Sequence, residues 1–264
     1  MRVDIGGVRP PEARRLFREG KAQGPTAGWC RGYAQANLAV MPRKDAYDFL
    51  LFCVRNPKPC PVLDVTEAGS AEPRRAAPGA DIRYDLSQYR VYRKGEFVEE
   101  PGDIAAYWGP DMVGFLLGCS FSFEDALLEA KIPMKHIEHG ENVAIYNTTI
   151  QCEPAGRFSG TMVVSMRPIP GRLVPRAVTV TSRFPGVHGI PVHVGDPEAI
   201  GIKDVFKVDW GDPPRMEPGD VPVFWACGVT PQAVALNSKP DLMLTHSPGR
   251  MFITDILNES LSVL

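Results

Sequence analysis

The sequence predicts an α/β protein whose body carries a mainly parallel or mixed sheet and whose chain is interrupted by a smaller α+β insert. Three observations carry this. Two near-continuous apolar runs, 111–119 and 221–227, have the composition of strands covered on both faces. Each runs through a small-residue turn into a helical segment. Between them, from 142 to 184, the chain changes to short stretches rich in Val, Ile and Thr. The insert is expected at 136–214 and the body at 1–135 with 215–264.

In chain order, Pro11 in the first turn and Gly20 after the last bound a helix over 11–19. Ala46, Tyr47, Leu50, Leu51 and Val54 recur at three- and four-residue spacing, which predicts a helix over 44–54 that Asn56-Pro57 closes. A short buried strand over 61–65 and a small-residue loop over 69–80 follow. Residues 89–98 alternate as a hairpin about Lys94-Gly95. Ser122 reads as the cap of a helix over 123–131, with Asp125 at capping-box spacing. Within the insert, 161–166 and 176–181 read as strands. The strand over 221–227, a helix over 231–237 and a strand over 242–245 then form a right-handed strand-helix-strand unit.

Composition narrows the function. The 264 residues are 44% hydrophobic and 23% charged with a net charge of -2, enough chain for a substantial core and no sign-dominated surface to attract nucleic acid or anionic lipid. Residues 1–7 lack a cationic stretch followed by an apolar one, and nowhere do about 18 apolar residues run together. A cytoplasmic protein with neither membrane nor nucleic-acid partners is expected, and assembly of identical copies stays open. Cysteines 30, 53, 60, 119, 152 and 227 form no Cys-x-x-Cys pair and read as reduced thiols. No dinucleotide or P-loop signature occurs, and no cofactor is expected. One alternative is a divalent metal ion at His136, Glu138, His139 and Glu141, although that spacing fits no specific metal signature.

The two apolar runs end alike. Cys119-Ser120-Phe121-Ser122 leads into one helix and Cys227-Gly228-Val229-Thr230 into the other. Such turns at the carboxyl edge of one parallel sheet would aim two helix N-termini at a common crevice, where carboxylate or phosphate binds. Ser120, Ser122, Gly228 and Thr230 are small enough to let such a group approach. Plain helix capping is the other reading of the same Ser and Thr residues.

Several longer runs carry a resemblance: Gly32-Tyr33-x-Gln35-Ala36-Asn37-Leu38, Asn56-Pro57-Lys58-Pro59-Cys60-Pro61, Val163-Val164-Ser165-Met166-Arg167-Pro168, His188-Gly189-x-Pro191-Val192-His193-x-Gly195-Asp196-Pro197, Phe224 to Gln232, and His246 to Asp255. In order and over nearly the whole chain, the sequence resembles the bacterial hydro-lyase family related to the cyclase domain of mitochondrial D-glutamate cyclase. The resemblance implies a three-layer α/β body with a smaller two-layer domain. It also implies elimination of water from a small carboxylic or amino acid, most concretely conversion of D-glutamate to 5-oxo-D-proline. Ala144, Asn147 and Thr149 depart from the family pattern, in which proline, a basic residue and asparagine are common at those places.

Ring closure of glutamate needs a neutral amine as nucleophile, donors for the oxyanion and an acid to help water leave. His188 and His246 are the candidate acid and base, with Asp196 as a further base and Cys227 as a nucleophile. Lys58, Arg167 and Arg183 are candidate carboxylate clamps, Lys58 and Arg167 each fixed ahead of a proline. Asn37 is either a cap or a substrate ligand, and the turns at Ser120, Ser122, Gly228 and Thr230 offer N–H donors. Each has an ordinary reading beside it: a turn for Asp196 before Pro197, packing for Cys227, a solvated surface for the cations. A hydroxy-acid dehydratase and a carboxylate-binding protein without turnover are the alternative functions.

Overall fold

The computed structural model describes residues 5–263, without the Gln232 side chain. Met1–Asp4, part of the segment read for a targeting signal, lie outside the described residues. The chain runs through α1 (Pro10–Arg18), β1 (Tyr33–Pro42), α2 (Arg43–Arg55), β2 (Val62–Val65), β3 (Tyr89–Arg93), β4 (Glu96–Glu99), β5 (Met112–Gly118), α3 (Phe121–Glu129) and α4 (Lys135–His139). It continues through β6 (Ala144–Gln151), β7 (Thr161–Pro170), α5 (Val174–Ser182), β8 (His193–Val194), β9 (Asp220–Ala226), α6 (Thr230–Ser238), β10 (Met243–His246) and β11 (Phe252–Leu257). The α/β content is as the sequence predicts.

The strands form two sheets. One has the order β2-β5-β1-β10-β3-β4, with β11 also on β1, and the other the order β6-β7-β9-β8. Every strand pair among the described residues is antiparallel, which corrects the expected parallel or mixed sheet. The reason lies in the connections. The expected strand-helix-strand unit is split, because β9 pairs in the four-stranded sheet and β10 in the seven-stranded one, so α6 carries the chain from one sheet to the other. Buried on both faces, β5 has the composition of a parallel strand whichever way its neighbours run. Since β9 belongs with β6 and β7, the second sheet extends past the boundary expected at 214.

The stretch 176–181, expected as a strand, is helix α5. Pro175 sits in its first turn, and the hydroxyls of Thr179 and Thr181 donate to the carbonyls of Pro175 (3.0 Å) and Ala177 (2.9 Å), the helical back-bond open to threonine. Ala177 packs with Phe123 and Trp225 under the second sheet. The hairpin forms where expected, with Lys94 and Gly95 both left-handed at φ 51° and 81° as a two-residue turn of this kind requires.

Strand β1 is the centre of the molecule. Ala39 and Met41 face Phe49, Phe52 and Phe115 under α2, whereas Ala36, Leu38 and Val40 face the 76–86 loop and Tyr89. Its polar residues Gln35 and Asn37 are buried with it. They, and the ends of β5 and β9, meet where the two sheets adjoin.

Candidate active site at the junction of the two sheets

The similarity of the two turns is structural. Each cysteine carbonyl accepts the backbone N–H three residues on, Cys119 from Ser122 at 3.1 Å and Cys227 from Thr230 at 3.0 Å. The turns end strands of different sheets, so the expected single sheet edge is replaced by a junction. Asn37 joins them there: its amide nitrogen donates to the Gly118 carbonyl at 2.8 Å, and a Cβ on Gly228 would lie 1.8 Å from that same nitrogen. Gly228 is therefore the seat of Asn37. Gly118 is equally constrained, since a Cβ there would meet the Gly186 carbonyl at 2.5 Å.

Behind the turns lies a buried ionic cluster. Arg167 on β7 is 1% exposed, with its guanidinium 5.4 Å from the ring centroids of both Phe123 and Trp225. It donates from Nε to Glu124 Oε1 (3.0 Å), from Nη1 to Ser165 Oγ (3.0 Å) and from Nη2 to Ser120 Oγ (3.1 Å), with a second, closer contact from Nη2 to Glu124. His136 Nε2 stands 3.1 Å from the same carboxylate oxygen. Burial alone would raise the Glu124 carboxyl, but the Arg167 charge and His136 outweigh it and hold it down at about 2. Glu124 is thus a fixed anion.

The other sequence candidates divide. Cys227 is close by, yet burial pushes its thiol up to about 11, so it is a neutral thiol rather than a ready nucleophile. Cys119 is pushed up further by the same cause. Thr230 is committed to the fold, donating to the Cys227 carbonyl (2.6 Å) and accepting from Val163 N–H (3.2 Å). The Ser122 hydroxyl is not the cap that the sequence suggests; it accepts from Gln35 N–H at 3.2 Å. His188 sits beside the first turn with its backbone left-handed at φ 85°, and Nδ1 pairs with the Lys58 carbonyl at 2.6 Å. Lys58 in turn donates to the Ile190 carbonyl (2.6 Å) beside a surface depression of about 340 Å³. On the far side, His246 Nδ1 accepts from Leu38 N–H at 3.1 Å. Burial pulls both histidines down to about 4, so both are neutral at pH 7.

Two candidates lie elsewhere. Arg183 is exposed at the end of α5 and reaches the Val263 carbonyl, and Asp196 is an exposed cap that accepts from Glu198 N–H at 3.0 Å. The metal alternative loses its geometry, since His136 turns to Glu124 and Glu141 to Arg215. Among the described residues no three His, Cys, Asp or Glu side chains gather to hold an ion. Glu124 and Ser165 are missed by the sequence reading. No local pattern sets Glu124 apart from its neighbour Asp125 in Phe121-Ser122-Phe123-Glu124-Asp125.

The D-glutamate cyclase family model matches residues 113–255. A Thermoanaerobacter sp. (strain X514) protein named "Putative hydro-lyase Teth514_1597" is 61% identical over 261 residues, covering 99% of this chain and 98% of its own. One from Bacillus subtilis (strain 168), "Putative hydro-lyase YcsI", is 62% identical over 257 residues, covering 97% and 100%. A solved nitrogen repressor-like protein from Methanococcus jannaschii covers 79% of this chain and 80% of its own at 10% identity, but a TM-score of 0.38 is too slight a likeness to argue from. The chain belongs to the D-glutamate cyclase family and is an enzyme of hydro-lyase type. No helix among the described residues is long and apolar enough to cross a membrane.

Proposed function

We propose that this enzyme closes D-glutamate to 5-oxo-D-proline and water, in the cytoplasm and without a cofactor. The observation that carries the reading is that the matched segment, 113–255, contains both cysteine turns and the whole Arg167-Glu124-His136 cluster. In the reaction the amine nitrogen bonds to the γ-carboxyl carbon and one carboxylate oxygen departs. The ammonium gives up two protons and the departing oxygen leaves as water, so charge and atoms balance. Loss of water is favoured in a site that excludes bulk water, and the junction is dry: Arg167, Ser120 and Asn37 are each at most 3% exposed. The fixed positive charge of Arg167 supports the oxyanion of the tetrahedral intermediate. His188, neutral near pH 7 and donating from Nδ1 to the Lys58 carbonyl, supplies the base at Nε2, while His246, whose Nδ1 accepts from Leu38, carries its proton on Nε2 and is the candidate acid.

The test is incubation of purified protein with D-glutamate, with L-glutamate as control, and chiral chromatography of the product. Enantioselective formation of 5-oxo-D-proline is expected. Absence of product would remove D-glutamate and leave a hydroxy-acid dehydratase or a carboxylate-binding protein. Of the three family departures, Asn147 and Thr149 lie exposed on β6, whereas Ala144 is buried and pairs with Met166, the neighbour of Arg167.

A further inference from the structure

A recess of about 40 Å³ opens beside Glu124, between the loop before β1 and the start of α3. Arg31, Tyr33 and Asp125 also line it, and its buried polar atoms without a partner among the described residues are both acceptors. Gln35 is 4% exposed; its amide nitrogen donates to the carbonyls of Thr26 (2.8 Å) and Trp29 (3.3 Å), which fixes the carboxamide and leaves Oε1 without a partner among the described residues. Asn258, 9% exposed, likewise leaves Oδ1 without one. Buried oxygens left this way destabilise the fold until a donor reaches them. Glu124, which binds Arg167 and His136 through Oε1, lines the same recess.

The walls and the mouth narrow the class of donor. Trp29, Tyr33 and Phe121 line the recess, and aromatic faces favour a cation carried on carbon. Arg31 stands where the recess meets a groove of about 660 Å³, with no ion pair among the described residues. The loop that holds Trp29 and Arg31 is left-handed at Gly28, Cys30 and Gly32. For Cys30 that backbone costs energy, of the kind fold-imposed strain at ligand sites stores.

We propose that this recess is the ammonium subsite of the enzyme: a primary ammonium donates to Gln35 Oε1, Asn258 Oδ1 and Glu124, while Arg31 at the mouth meets a carboxylate of the same molecule. The proposal rests on the reading that the substrate is an amino acid, but its test needs no turnover. Binding of D-glutamate, glutarate and N,N,N-trimethyl-D-glutamate to the full chain is measured by calorimetry, and that of ethylammonium by saturation-transfer NMR. D-glutamate is expected to bind at least about tenfold tighter than glutarate, which lacks the amine, and than the trimethyl analogue, which is too bulky for the recess. Gln35→Leu removes that preference and leaves glutarate binding unchanged. Arg31→Ala, at an exposed site, weakens D-glutamate and glutarate together. Should Gln35→Leu not fold, the ligand series on the unaltered protein and on Arg31→Ala decides. Ethylammonium bound by the unaltered protein and lost in Gln35→Leu, with no cyclisation of D-glutamate, would sink the cyclase reading and keep the subsite. Equal affinity for D-glutamate and glutarate in a protein that does cyclise D-glutamate would overturn the subsite alone. Displacement of ethylammonium by potassium chloride but not by sodium chloride would overturn it in favour of a bare-cation site.

Discussion

At the first cysteine turn the hydroxyl of Ser120 accepts from Arg167, and Glu124 follows one helical turn later to balance the charge. At the second, Gly228 stands in the place of Ser120, and the room left by its missing side chain holds the Asn37 carboxamide. The backbone hydrogen bond that closes each turn onto its cysteine carbonyl corresponds. The repeat is therefore one of main-chain geometry, and the side chains hung on it assign different tasks. The first turn carries the fixed charges and adjoins the recess beside Glu124, while the second is a close-packed wall that aligns β1.

Breaking the charged turn should have the largest effect. Glu124→Gln leaves Arg167 buried without its anion, and such losses run to about 3–5 kcal/mol, readable by denaturant unfolding. A cost below 1 kcal/mol would mean that water reaches the guanidinium and that the cluster is not dry. Acid probes the same charges without mutation. Between about 4 and 6.5 the unfolded chain protonates His188 and His246 while the folded chain keeps them neutral, so stability falls as pH falls through that window. Between about 2 and 4.5 the unfolded chain protonates Glu124 first, and stability falls again. An unfolding free energy that stays flat from pH 6.5 to 4 would contradict the buried neutral histidines.

The second turn should respond to volume rather than to charge. Gly228→Ala drives a methyl group into the Asn37 amide, at a cost of about 1–3 kcal/mol. Asn37→Ala frees that space, so the double variant should cost less than the sum of the two single ones. Strict additivity would show that Gly228 is not the seat of Asn37. Ser120→Ala is milder, about 1 kcal/mol, because Arg167 keeps Glu124 and Ser165. Its turnover should fall by more than its stability, a split absent from Gly228→Ala if the charged turn alone does chemistry.

The same contrast runs through what the sequence made legible. The turn pair and the hairpin at Lys94-Gly95 depend on residues adjacent in the chain, and short-range patterns expose them. Strand β1 carries no such pattern: Ala34-Gln35-Ala36-Asn37 is poor strand material, held extended by neighbours from β5, β10 and β11. Helix α5 misled for the opposite reason, because Val178, Thr179 and Val180 favour strands while packing under Trp225 decides otherwise. Strand direction was hidden as well, since a strand buried on both faces looks the same in either orientation. In the site, Arg167 stood out as a cation ahead of proline, but Glu124 and His136 come to it from α3 and α4. No spacing within the chain announces an encounter of that kind. Gln35 lay in a matching motif, yet only the fixed orientation of its amide shows which of its atoms is unspent.

Thiol chemistry gives the smallest expected effect and the sharpest check on which turn is active. Cys227 is 8% exposed and its thiol is pushed up to about 11, so at pH 8 its thiolate is scarce beside that of an unperturbed cysteine near pKa ~8.5. Cys119 is shielded further still. Iodoacetamide should therefore leave both unmodified in the folded protein, as read by mass spectrometry of peptides, while the denatured chain reacts at once. Turnover of D-glutamate should persist through the treatment. Rapid modification of Cys227 with loss of turnover, slowed by D-glutamate, would reverse the assignment: the second turn would then be the chemical one, and the charges at the first would serve to hold it in place.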